Sequence, residues 1–166
     1  MLLVVDFEME AQPGHAAGAG FSQDAADLLQ VAQSVPLGLP HSGALSSGFG
    51  VRANPFSGAG AEDHGGLDFK GQYGEPIHST ANGRVIFAGV QNGYGNVVKL
   101  AHAYGYTTLY AHMSEIKVKV GQTLPAGSLV GTVGSTGRST GPHLHYEVRK
   151  GDQLLDPIQF LSFNQQ

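Results

Sequence analysis

From Gly43 onward, glycine interrupts the chain every eight to twelve residues or so, and the apolar stretches left between are too short for helices. Such punctuation reads as antiparallel β-structure. The 25 glycines among 166 residues, with only 13% charged and 41% apolar residues, favour a turn-rich globular fold over a helical bundle, since glycine usually stands near 7%. The predicted strands are Leu45–Val51, Gly66–Phe69, Gly83–Val90, Asn96–His102, Tyr106–His112, Leu129–Val133 and His143–Arg149, with Ala103-Tyr104-Gly105 as a tight hairpin loop. At about 150 residues per domain the length suits one domain plus an extension. The stretches around Pro76-Ile77-His78 and Val120–Gly127 resemble each other, a faint sign of duplication that two short matches do not establish.

The extension differs in charge. Residues 1–51 carry Asp6, Glu8, Glu10, Asp24 and Asp27 and no Lys or Arg, whereas residues 52–166 hold all 9 basic groups and 8 acidic ones. The expected division is an acidic segment at 1–42 and a β-domain at 43–166. Within the segment, Ser22 is a candidate cap for a helix over Gln23–Gln33, where Ala25, Leu28, Leu29, Val31 and Ala32 form an apolar stripe and Pro36 supplies a stop. The stripe is expected to pack on the domain, and Pro36-Leu37-Gly38-Leu39-Pro40 reads as a stiff linker. A cover over a functional groove, with Gln12 or His15 reaching into it, is the competing expectation. Met1–Val5, interrupted by Asp6, is too short for a signal-peptide core or a membrane span. The net charge of −4 and the lack of a basic run make nucleic acid an unfavourable partner.

With no cysteine, disulfides, thiolate metal sites and cysteine nucleophiles are excluded together. Eight histidines remain. In His143-Leu144-His145 two imidazoles two residues apart on a strand project to one face. In His64-Gly65-Gly66-Leu67-Asp68 the two glycines argue for a turn that folds His64 back towards Asp68. Asp68 lies between Leu67 and Phe69, where a carboxylate needs a partner or a metal. A carboxylate with two imidazoles suits zinc, and three protein ligands leave a fourth position for water.

These stretches, together with Ser47–Arg52, Asn54-Pro55-Phe56, Tyr110-Ala111-His112-Met113 and Gly134–Glu147, resemble the lysostaphin-type, or LytM-type, zinc endopeptidases of peptidase family M23 over about residues 43–160. The resemblance implies a curved antiparallel sheet like a duplicated hybrid motif, with loops walling a groove. It implies His64, Asp68 and His145 as ligands of Zn2+, and His143 and His112 unligated beside the metal as the catalytic pair. It implies hydrolysis of peptidoglycan stem-peptide cross-links in the cell envelope, periplasm or cell surface, with D,D-endopeptidase activity ahead of glycyl-glycine cross-bridge cleavage. A monomer is expected.

In that scheme His143 moves the proton between water and leaving amine, and His112 orients water or stabilises the oxyanion. Alternation along Thr108–His112 sets Tyr110 and His112 on one face. Glu62 and Asp63 are candidate partners for ligating imidazoles but read first as ordinary loop carboxylates, Arg52 a candidate for a stem-peptide carboxylate or simply solvated, His102 a rim residue and His78 a turn residue; His15 and His41 lie outside the matched stretches. Two rivals stand beside the enzyme: a non-catalytic LytM-like activator of a cell-wall amidase, disfavoured by the intact histidine set, and a phosphocarrier, disfavoured because Asp68 would repel a phosphoryl group.

Overall fold

The computed structural model describes residues 17–57 and 60–161. Helix α1 (Ala17–Ser34) is followed by β1 (Leu45–Ser47), β2 (Gly50–Ala53), β3 (Ala61–His64), β4 (Leu67–Lys70), β5 (Pro76–His78), β6 (Gly83–Gln91) and β7 (Gly95–Ala101). A short 3-10 turn over Ala103–Gly105 leads to β8 (Tyr106–Met113), then β9 (Glu115–Ile116), β10 (Thr123–Leu124), β11 (Leu129–Thr132), β12 (His143–Lys150), β13 (Gln153–Leu155) and the single-turn α2 (Ile158–Leu161).

The main sheet runs β1-β4-β12-β8-β7-β6-β10, with β13 added beside β12, and its pairs are antiparallel. A three-stranded sheet, β5-β11-β9, and the β2-β3 hairpin complete the β-structure. The expected strand Leu45–Val51 is two strands, because Gly50 at φ 103° turns the chain out of the main sheet into the hairpin. The two resembling stretches part company: β5 pairs with β11, whereas β10 pairs with β6.

Alternation sorts the main sheet into two faces. One face carries Leu67 and Phe69 of β4, Leu144, Tyr146 and Val148 of β12, Tyr110 of β8 and Val98 and Leu100 of β7, packed with Ile77 and Val130 of the small sheet into the main core. The hydroxyls of Tyr110 and Tyr146, both fully buried, reach Thr80 Oγ1 at 3.1 and 2.9 Å. His102, expected at the rim, joins this interior network through Thr108 Oγ1 at 2.7 Å and donates to the Asn82 carbonyl at 2.9 Å. The opposite face carries a smaller apolar cluster of Val97, Leu109 and Ala111 with Phe87 and Tyr94, and beside it the site described below.

Three expectations for the first segment do not hold. The helix begins at Ala17, before Ser22, so Ser22 lies within it rather than at its cap. Its apolar stripe is not packed on the domain: Leu28, Leu29 and Val31 are 71%, 59% and 45% exposed. Pro36–His41, in turn, is no free linker. The Gly38 amide donates to the Thr80 carbonyl, the His78 amide to the Pro40 carbonyl, and buried His41 donates through Nδ1 to the Pro76 carbonyl. The Asn82 amide donates to Gln33 at the helix end, which anchors α1 near Thr80, on the core face of the sheet. Gln12 and His15 lie outside the described residues.

Gly66 sets the spacing of β4 against β12. A Cβ built there would stand 2.2 Å from the Tyr146 carbonyl oxygen, an impossible contact with main chain. Gly66→Ala is therefore expected to force the two strands apart and cost about 1–3 kcal/mol, read as a lowered thermal midpoint; an unchanged midpoint would show that this close approach is not needed.

Candidate metal centre

Register brings the first three residues together. On β4 and β12, Asp68 is the direct cross-strand partner of His145, on the face away from the main core. His64 ends β3, and the Gly65-Gly66 turn leads straight into β4, so His64 returns over Asp68. His64 Nε2, His145 Nδ1 and Asp68 Oδ1 form a triangle with edges of 3.0, 2.9 and 3.1 Å. All three residues are buried.

The outer partners decide what these atoms offer. His64 Nδ1 lies 2.6 Å from the Gly48 carbonyl, which can only accept, so Nδ1 carries the hydrogen and Nε2 is bare. His145 Nε2 donates to Glu147 Oε1 at 3.1 Å, which leaves Nδ1 bare in the neutral ring; burial lowers the pKa of this imidazole, but the Asp68 and Glu147 carboxylates outweigh it and raise it, so positive charge is favoured at this place. Asp68 turns Oδ1 inward, while Arg52 Nη1 holds Oδ2 at 2.8 Å. Burial pushes the Asp68 carboxyl up, but without a metal, ring N–H groups of His145 and His64 directed at it outweigh that push and hold it well below the usual range. With both rings neutral, three lone pairs converge on one point, an arrangement that repels itself unless a proton or a metal cation stands between them. Tetrahedral zinc with bonds of about 2.0–2.2 Å separates its ligand atoms by roughly 3.4 Å, close to the triangle here. Two imidazoles and one carboxylate fit that ion.

The supports behind the imidazole ligands are not Glu62 or Asp63. Glu147, fully buried on the groove face of β12, accepts from His145 and from the Tyr94 hydroxyl at 2.7 Å, and receives Arg149 Nε and Nη2 on its other oxygen at 3.0 and 2.7 Å. Burial raises its carboxyl, but the bonds from His145, Tyr94 and Arg149 outweigh it and bring it down to about 2. Burial and the Glu147 carboxylate push the Tyr94 hydroxyl up to about 12. Asp63 is exposed, and Glu62 pairs with Arg138 and Arg52 rather than with an imidazole. Arg52 is bound to Asp68 and Ser47 on the side of the groove. Glu147 was legible as the next same-face residue after His145; Tyr94 carries no such signal.

His143 and His112 complete the cluster. His143 shares the groove face with His145; its Nδ1 donates to the Gly141 carbonyl at 2.8 Å and its Nε2 lies 3.9 Å from Asp68 Oδ1. His112 arrives by a different route. Strict alternation would put it with Tyr110 on the core face, but its backbone is left-handed, at φ 59°, and the β7–β8 register slips between Asn96 and Val98. The expected pairing of Tyr110 with His112 is thereby undone: Tyr110 stays in the core, and the His112 ring stands 4.7 Å from His143 and 5.9 Å from His145. Its Nδ1 donates to the Thr136 carbonyl at 2.8 Å. Burial above all, opposed by that carbonyl and reinforced by His143 and His145, lowers His112 to about 4. Four imidazoles therefore each spend one ring nitrogen on an acceptor and turn the other towards one place.

The groove over this place is walled by the β2–β3 hairpin and the loop 134–142, with Arg52, Phe56, Glu62 and Arg138 on its sides. Among the described residues, none before Ser46 lines it. Residues 62–157 match the profile of Peptidase family M23. The chain belongs to this family. The M23 domain is 44% identical over 114 residues to "DD-carboxypeptidase/endopeptidase Mpg" of Neisseria meningitidis, an alignment covering 69% of this chain and 26% of that protein. It is 38% identical over 105 residues to "Murein hydrolase activator NlpD" of Salmonella dublin, covering 61% and 28%. The chain thus spans about a quarter of the length of these relatives. Among solved structures, a zinc-containing peptidase from Vibrio cholerae superposes with a TM-score of 0.65 at 36% identity, over 70% of this chain and 37% of that one. The catalytic domain of lysostaphin from Staphylococcus simulans gives 0.65 at 33%, over 70% and 90%. Among the described residues, no helix is long and apolar enough to cross a membrane.

Removing one corner of the triangle should empty it. Purified Asp68→Ala is expected to contain no stoichiometric metal, and full occupancy in that variant would overturn the ligand set. Glu147→Gln should bind metal about 10–100-fold more weakly, measured by competition against a chelator, because the charge that holds the His145 tautomer is gone.

Proposed function

We propose that this M23 domain is a zinc-dependent endopeptidase that hydrolyses peptide cross-links of bacterial peptidoglycan, with His64, Asp68 and His145 holding the metal and His143 and His112 acting on water and substrate. The cell envelope is its place of work. The observation that carries the reading is the pair of bare Nε2 atoms on His143 and His112, beside a complete ligand triangle yet outside it.

Zinc bound in the triangle supplies Lewis acidity towards the scissile carbonyl and makes water acidic enough to ionise near neutral pH. The protein supplies the proton traffic and the orientation. His143 Nε2 is free to take the proton of the attacking water and to return it to the leaving amine, which balances the hydrolysis, with the Gly141 carbonyl keeping the imidazole in register. His112, neutral because of its burial, accepts a hydrogen bond at Nε2 and so orients water. Its only N–H is spent on Thr136, which favours this role over oxyanion donation. Glu147 and Arg52 keep the two innermost ligands aimed.

A glycyl-glycine cross-bridge is the second candidate substrate, supported by the lysostaphin likeness; the identity with Mpg supports the D,D bond. A metal-free activator role, which the similarity to NlpD raises, gains nothing from four oriented imidazoles. Digestion of defined muropeptides carrying each cross-link, with product masses, tests the choice. Cleavage of the D-alanyl cross-link alone is the expected result, and cleavage of neither by zinc-loaded protein would overturn the enzyme reading.

The two roles of histidine should separate. His143→Ala and His112→Ala are expected to retain zinc while kcat falls by about 10²–10⁴. Loss of metal from His143→Ala, with retention in His145→Ala, would exchange their assignments.

A further inference from the structure

Among the described residues, the two walls of the groove meet at Arg138. Arg138, midway along the loop 134–142, is fixed at its backbone by donation from its amide to the Gly93 carbonyl at 2.8 Å. Its guanidinium lies over the Phe56 ring, 4.2 Å from the centroid, and Nη2 donates to Glu62 Oε2 at 2.6 Å. Glu62 stands between two arginines, with Arg52 Nη2 3.5 Å from its other oxygen. Arg52 in turn holds Asp68. The path from groove wall to candidate metal ligand is therefore Arg138, Glu62, Arg52, Asp68.

The two arginines are not equivalent. Arg52 is committed to Asp68 and Ser47, and its side chain is 26% exposed. Arg138 is 51% exposed, with Glu62 as the acidic partner of its side chain among the described residues. An ion pair this exposed contributes little net stability, so exchanging one carboxylate for another on Arg138 is nearly neutral. Glu62, once displaced, still has Arg52. Contact with the Phe56 ring helps to hold the guanidinium in place, and its planar fork recognises a two-pronged anion better than a point charge does.

We propose that Arg138 is the specificity residue that receives a substrate carboxylate beside the scissile nitrogen, and that Glu62 occupies its guanidinium as an internal stand-in until substrate arrives. This rests on the peptidase reading above and sharpens it. In a D-alanyl cross-link to the D-centre of a diamino acid, the residue giving the scissile nitrogen bears a free carboxylate on the adjacent carbon. A glycine cross-bridge offers no anion there. Arg138 thus selects the first bond over the second.

The test uses two D-alanyl-linked peptides that differ only in that carboxylate, free in one and a carboxamide in the other, with zinc content checked in every protein. The unaltered chain is expected to favour the free acid by roughly 10- to 100-fold in kcat/KM. Arg138→Ala should bring the ratio near parity through KM, Arg138→Lys should restore part of it, and Glu62→Gln should lower KM for the free acid because the competitor is removed. No preference in the unaltered chain, or an undiminished preference in Arg138→Ala, overturns the proposal. So does an equal loss on both peptides in the Arg138 and Glu62 variants, the mark of a merely structural clamp. If neither peptide is cleaved, the peptidase reading fails, and equilibrium binding of the same pair still decides: equal affinities overturn the carboxylate site, and tighter binding of the acid supports it.

Discussion

Three lone pairs forced towards a common point are the constraint on which the site depends. Left alone, His64 Nε2, His145 Nδ1 and Asp68 Oδ1 would turn away from one another or take up a proton. They are held by what lies behind them: a main-chain carbonyl for His64, Glu147 for His145 and Arg52 for Asp68. A divalent cation converts that mutual repulsion into binding, and the free energy of the bound metal is then also free energy of the fold. The partners behind the ligands are themselves anchored, Glu147 by Tyr94 and Arg149 and Arg52 by Ser47 and Glu62.

The sheet is rigid where the site needs it to be because its other face is the main core. Tyr110, Leu144, Tyr146 and Val148 are fully buried behind the strands that present His145 and Glu147. The buried tyrosine hydroxyls find partners in Thr80 and Thr108, so the polar groups in that core are not left unpaired. A strand with apolar residues on one face and ligands on the other can shift only by disturbing both, which resists displacement of the ligand atoms. His112 is the exception in construction. It reaches the groove face through a left-handed backbone, a conformation that costs free energy for a non-glycine residue and persists where the surroundings over-determine it. Here the Thr136 carbonyl at its ring and the Tyr94 carbonyl at its amide do so.

The first segment divides in a way its composition conceals. Proline, glycine and leucine at 36–40 suggested a spacer, yet the segment's amides and carbonyls pair with Thr80 and His78, so it works as an added layer of the domain. The helix before it has a stripe of apolar residues, Leu28, Leu29 and Val31, that is left exposed among the described residues. Amphipathic pattern alone says that a face is apolar, and says nothing of which surface covers it.

Much of the site is readable without coordinates because alternation in a strand is a local rule. His143, His145 and Glu147 must share a face, Leu144 and Tyr146 the other, and the glycines after His64 must make a turn towards Asp68. The metal-binding residue types and the β-class follow from the same local rules, aided by a distinctive family resemblance over 43–160. What the chain order cannot carry is anything set by register or by departure from regular backbone. That Asp68 faces His145 is a property of how β4 slides along β12. That His112 joins the cluster while Tyr110 leaves it depends on a single positive φ and a one-residue slip, which reverse the parity that alternation predicts. That Arg52 supports a ligand while Arg138 faces the groove depends on two loops meeting across it. Side-chain periodicity belongs to the sequence; the neighbours of each face are decided only when strands from distant parts of the chain pair, because hydrogen bonding between strands accepts many registers and only packing selects one.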